Sequence, residues 1–156
     1  MKNIFVLSAL GFSCGLPYML VFSTLSAWLR DAGAALTVIG FISWAALTYS
    51  LKFLWSPFVD RIKMPLNQVV GQRRSWILMM QLLILILIMM MSQFDPISSL
   101  NFIVITAVLI AFFGSLQDIA VDAYRIELVS LDEQGNLAAS YQFGYRLSIL
   151  VATSLA

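Results

Sequence analysis

Apolar residues run through this chain in blocks, and polar residues collect in the short gaps between them. A helix that crosses a bilayer needs roughly 20 predominantly apolar residues. Five segments meet or begin to meet that length: 4–29, 38–59, 76–94, 100–127 and 136–156. The pattern predicts an all-α, polytopic membrane bundle in which each block is one span. The N-terminal run from Ile4 to Leu29 is too long for the apolar core of a signal peptide, so it is expected to stay as an uncleaved first span. Pro17 lies inside it and lacks the N–H that a helix needs, which predicts a bend.

The breaks in the apolar pattern are its most informative positions. Asp118, Asp122 and Arg125 stand inside the fourth block at spacings i, i+4 and i+7, which places all three on one helix face. A charge at the centre of a bilayer costs about 2.5–3.5 kcal/mol on insertion scales. Such groups persist where they face other helices, one another or water, and they mark transport pathways more often than packing. Lys52 interrupts the second block, with Thr48 and Ser56 on the same face, and Arg146 interrupts the fifth.

Counting inward separates these charges by depth. If the fourth and fifth spans form an antiparallel hairpin through the loop Ser130 to Gly135, Asp118 lies level with Arg146. Both then sit on the order of 12–15 Å deep at about 1.5 Å per residue. An Asp118–Arg146 ion pair near the midplane is expected. Lys52, about 10 Å deep on the same rise per residue, matches Asp122 better than Asp118. Arg125 lies nearest the water and could reach the interface, as could Lys52 by extending its stem. Gln117, Tyr124, Tyr141, Gln142 and Tyr145 add amides and phenols to the same region. A purely structural reading makes these charges buried pairs, but such pairs stabilise weakly compared with apolar packing. A site for a polar solute or a proton accounts for them better. Two acids four residues apart on one helix are poorly placed to converge as an aspartyl protease dyad would.

Composition narrows the class. The 156 residues are 61% hydrophobic and 11% charged, against about 25% charged in soluble domains. The basic residues form one short loop rather than a patch, which argues against a nucleic-acid partner. Histidine is absent and Cys14 is alone, so neither metal-ligand spacing nor a disulfide arises, and no cofactor or enzymatic activity is expected. Cys14 reads as a small packing residue.

Arg61, Lys63, Arg73 and Arg74 crowd the connection between the second and third spans, whereas the next connection holds Asp95 and no base. Basic connections mark the cytoplasmic side, so the N-terminus is expected there too. Gly11 and Gly15, with Ser8 on the same face, form a small-xxx-small stripe suited to close helix packing.

The segments Ser56-Pro57-Phe58-Val59-Asp60-Arg61 and Gly71-Gln72-Arg73-Arg74 resemble the loop motif of the major facilitator superfamily, with a longer turn. Lys52-Phe53-Leu54-Trp55-Ser56-Pro57, the run Gln117 to Arg125 and Gly144-Tyr145-Arg146-Leu147 are similar to the AmpG muropeptide permease family, a relative of the acetyl-coenzyme A transporters. The resemblance covers essentially the whole chain. It implies proton-coupled import of anhydromuropeptides, released by cell-wall turnover, across the inner membrane of a Gram-negative bacterium. It also implies two helical bundles, of which this chain carries only the N-terminal spans, a truncated form. Asp118, Asp122 and Arg146 would couple or bind, with Lys52, Gln117, Tyr124, Arg125, Gln142 and Tyr145 in support. Asp60, Arg61, Arg73 and Arg74 would latch a cytoplasmic gate. The remaining bundle could come from a second chain. The rival readings are a non-transporting remnant or small membrane-assembly protein, and an acetyl-coenzyme A transporter.

Overall fold

The computed structural model describes residues 2–128 and 133–154. Helix α1 (Lys2–Met19) runs through Pro17 and widens into a π-helical segment, Leu20–Thr24, before α2 (Leu25–Asp31). Together they give one continuous apolar rod, Asn3–Asp31. The looser winding begins three residues beyond the proline.

The second apolar block is not one straight span. It divides into α3 (Leu36–Ser43), α4 (Ala46–Ser50) and α5 (Lys52–Arg61). The segments on either side of Leu51 are bent by 53°. Pro57 withholds an N–H from the first turn of α5, which weakens the helix beside the break. The expected Thr48–Lys52–Ser56 stripe is therefore cut. Thr48 lies across the bend and its hydroxyl donates to the Ala45 carbonyl at 2.6 Å.

A short α6 (Asn67–Val70) leads to α7 (Gln72–Met91), and α8 (Leu100–Leu128) follows after a tight connection. In that connection the Asp95 carboxylate accepts the backbone N–H groups of Ile97 and Ser98 at 3.1 and 2.8 Å. Those bonds hold its carboxyl below the usual carboxylate range. Helix α9 (Gln134–Ser154) completes the described residues. Of the expected loop Ser130 to Gly135, residues 130–132 lie outside the described set, and Gly135 already belongs to α9.

Among the described residues, three of these rods are long and apolar enough to cross a membrane, and the bent pair counts as a fourth if it crosses as one broken span. Large apolar side chains cover the outer surface, with Phe5 84% and Phe143 66% exposed, as suits contact with lipid. Helix α8 is the axis. Its buried face runs from Ile103 through Ala107, Ile110 and Gly114 to Val121, and it touches both core clusters. One cluster gathers Val21, Leu29, Ile42 and Ile84; the other gathers Val59, Trp76, Met80 and Ala120.

The partner of α9 differs from expectation. It lies along α1 and meets α8 only sparsely. A Cβ built on Gly11 would collide with the Tyr141 carbonyl, and one on Gly144 with the Ser8 carbonyl. Gly15 is equally tight against Ser148 and Tyr145. The Ser8 hydroxyl donates to the Ser140 carbonyl at 3.1 Å. Missing side chains thus let two backbones approach closely, and that contact outcompetes the sequence-adjacent pairing of α8 with α9.

Candidate functional site

Three helices deliver polar groups to one point. The bend at Leu51 makes Lys52 the first residue of α5 and turns its side chain toward α8. Its ammonium lies 3.0 Å from Asp118 Oδ2 and 3.4 Å from Asp122 Oδ2. The i, i+4 spacing sets both carboxylates on the face that meets α5. From α9, the Tyr141 hydroxyl donates to Asp118 Oδ1 at 2.5 Å. Arg125 turns back along α8, with its Nη2 3.5 Å from Asp122 Oδ1 and its guanidinium 6.0 Å above the Tyr141 ring. Each acid therefore spends one oxygen on Lys52 and the other on a second donor.

The Asp118–Arg146 pair is not formed. Arg146 is exposed on α9 and takes part in no ion pair among the described residues. The cause is the packing of α9 on α1, which invalidates the hairpin depth count. Lys52 also lies closer to Asp118 than to Asp122, the reverse of the depth match, because the bend resets where α5 begins. Neither Lys52 nor Arg125 simply extends to the interface. Both turn to carboxylates.

Other candidates go elsewhere. Gln117 is buried at 1% exposure on a different face of α8. Its amide donates to Ser13 Oγ at 3.1 Å, and Gln81 donates to the same hydroxyl at 2.9 Å. Tyr145 packs beside Gly15, and Gln142 is exposed on α9. Tyr124 accepts a hydrogen bond from Arg74 at 3.2 Å, and that guanidinium stacks 5.5 Å over its ring.

A second charged group closes the end of the bundle that carries the basic loop. Arg73 Nη1 meets Asp60 Oδ1 at 2.6 Å, and its Nε meets Glu127 Oε1 at 2.9 Å. One guanidinium thereby ties together α5, α7 and α8. Gly71, at φ +87°, turns the chain sharply into α7. The Gln72 amide and the Trp76 indole then both donate to the Ile62 carbonyl, at 2.6 and 3.1 Å. Arg61 is exposed and joins no ion pair among the described residues. Between the two charged groups lies a cleft of about 450 Å3, lined by Lys52, Ser56, Asp60, Arg73, Asp122 and Glu127 among others.

Two residues of this arrangement were missed as site residues. Glu127 looked like the polar end of a span, and Tyr141 like one phenol among several. An available signal for Glu127 was its single negative charge opposite a loop of four bases. Among the described residues, no three His, Cys, Asp or Glu side chains come together as metal ligands would.

A family model described as acetyl-coenzyme A transporter 1 matches residues 3–155. The chain is similar to an anhydromuropeptide permease of Escherichia coli, with 40% identity over 151 residues, 97% of this chain and 30% of the permease. It is also 37% identical to putative transporter AmpG 4 of Rickettsia felis, over 96% of this chain and 36% of that protein. An uncharacterized protein of Haemophilus influenzae is 37% identical over 99% of this chain and 36% of its own length. The chain thus spans about a third of the length of these curated relatives.

Proposed function

Because the chain belongs to the acetyl-coenzyme A transporter 1 family, we propose that it forms the N-terminal spans of a proton-coupled importer of anhydromuropeptides. The observation that carries this reading is one ammonium shared by two carboxylates inside apolar helices. Arg125 already holds Asp122, so Lys52 is the cation that a proton on Asp118 can displace. Protonating either acid hands Lys52 to the other, or frees it for a carboxylate of an arriving peptide. The cleft beside Lys52 supplies space for such a group. The likeness to the Escherichia coli permease supports the substrate class.

Asp118 and Asp122 are the coupling acids in this reading, with Lys52 as their switchable counter-ion and Arg125 holding Asp122. Arg146, Gln142 and Tyr145 lie on α9, and they would meet substrate from the far side. In transporters built from two repeat-related bundles, the path lies between the bundles. The opposite wall would come from sequence beyond these residues, in the same polypeptide or a second chain. The Asp60–Arg73–Glu127 group, with Arg61 and Arg74, would latch the gate on the side of the basic loop. Positive-inside bias makes that side cytoplasmic, with the N-terminus on it and the protein in a bacterial inner membrane.

The test is uptake of radiolabelled anhydromuropeptide by permease-deficient Gram-negative cells. The chain is expressed alone and together with the C-terminal two thirds of the Escherichia coli permease. Uptake that needs the proton gradient and is lost in Asp118→Asn is expected when both parts are present. Labelled acetyl-coenzyme A forms a parallel arm, motivated by the description of the matching family model. Uptake of that compound instead would replace the substrate assignment.

A further inference from the structure

Tyr141 is held from two directions. Its backbone carbonyl lies against Gly11 so tightly that no side chain fits there, which seats this turn of α9 on α1. Its hydroxyl reaches the other way, to Asp118 Oδ1 on α8. Among the described residues this is the one side chain to side chain hydrogen bond between α8 and α9. Tyr141 is 8% exposed, and the Asp118 side chain is 17% exposed.

From this geometry we propose that Tyr141 is a positioning residue: it fixes the plane of the Asp118 carboxylate, so that one oxygen accepts from the phenol and the other meets Lys52. The inference rests on the proposed role of Asp118 in coupling. A carboxylate without that bond can rotate about Cβ–Cγ and offer Lys52 both oxygens at once, or neither. A phenol that donates to Oδ1 removes that freedom. It also leaves Oδ2 as the oxygen at which an incoming proton competes with the ammonium. When that proton arrives, Oδ1 still accepts from Tyr141. The acid stays tied to α9 and α1 while Lys52 is released toward Asp122, already 3.4 Å away. The groups facing this pair are Lys52 from α5, Asp122 and Arg125 from α8, Cys14 from α1, Tyr145 from α9 and Tyr49 from α4. Movement of α9 would therefore reach the acid through the Tyr141 hydroxyl, while α1 also holds this turn of α8 through Gln117 and Ser13.

Tyr141→Phe keeps the ring and its packing and deletes the hydroxyl, so it separates positioning from folding. The chain is reconstituted in lipid nanodiscs with 13C-labelled aspartate, and Asp118→Asn assigns the band of this carboxylate by infrared spectroscopy. Tyr141→Phe should shift that band. In a Cys14→Ser background, spin labels at Phe58→Cys on α5 and Ile126→Cys on α8 should show a broadened distance distribution. An unchanged band or an unchanged distribution overturns the proposal, and neither readout depends on transport. In the uptake assay, Tyr141→Phe should lower the maximal rate about tenfold or more with little change in the half-saturating concentration. A change in half-saturation alone would also overturn it. Absence of uptake by the unsubstituted chain with its complementing part would instead count against the proposed function. The infrared and distance readouts would still decide the role of Tyr141.

Discussion

At the scale of single residues, Lys52 is the hinge of the electrostatics. Its ammonium separates two carboxylates that would otherwise repel in a medium of low dielectric. Removing one member of a well-buried pair costs about 3–5 kcal/mol, because the remaining charge is stranded. Here the Lys52 side chain is 43% exposed, so solvent screens much of that cost. Lys52→Met should destabilise the bundle by about 1–2 kcal/mol, discounted for that screening. The double variant Lys52→Met, Asp118→Asn should recover part of this loss, since no carboxylate at 118 is then left unpaired. Thermal unfolding in detergent measures the cycle. Additivity within about 0.5 kcal/mol would show that the two side chains do not interact. That Asp118 needed a cation was legible in the sequence. Which cation it took was not, because Arg146 and Lys52 both stood at plausible depths and only helix neighbours choose between them.

At the scale of elements, close backbone contact governs α1 and α9. Gly144→Ala should destabilise by about 1–3 kcal/mol, the range for forcing atoms into a filled contact, because the new methyl would meet the Ser8 carbonyl. Gly40→Ala is the matched control. It sits in α3 with nothing near its added Cβ, and it should be neutral or stabilising by up to about 1 kcal/mol. Equal losses in the two variants would show that the glycine contact does not hold the pair. The latch invites a similar comparison. Gly71→Ala, at φ +87° and ψ +160°, should cost about 1–3 kcal/mol in backbone strain. It should also loosen the turn that presents Arg73. Spin labels at Phe58→Cys and Ile126→Cys, which leave Asp60 and Glu127 in place, should show a broadened distance distribution in that background, and an unchanged one would separate the turn from the latch. The small-xxx-small stripe was readable from Ser8, Gly11 and Gly15. Its partner was not, since Gly144 carries no label that says which helix it faces. The bend at Leu51 was equally hidden, because a run of apolar residues looks the same straight or broken.

At the scale of the whole molecule, the prediction concerns sidedness. In a Cys14→Ser background, a cysteine at Met64 should react with a membrane-impermeant maleimide only when the cytoplasmic face is opened. A cysteine at Ser98 should react from intact cells after outer-membrane permeabilisation. The reversed pattern would invert the topology and move the Asp60–Arg73–Glu127 latch to the other side. Bases in one connection and none in the next carry this prediction, and helix packing has no bearing on it.

The division between chain and fold follows from the range of the forces involved. Membrane class, the approximate limits of the spans and the presence of costly ions inside them are local properties. They depend on runs of some 20 residues and on the penalty for burying charge, so they could be read directly along the chain. The pairing of Asp118 with Lys52 and Tyr141, the seat of α9 on α1 and the three-helix grip of Arg73 join residues 13 to 136 positions apart. Those depend on which helix faces which. In lipid that choice is made by small differences in backbone approach and hydrogen bonding, which exist only once the helices are assembled.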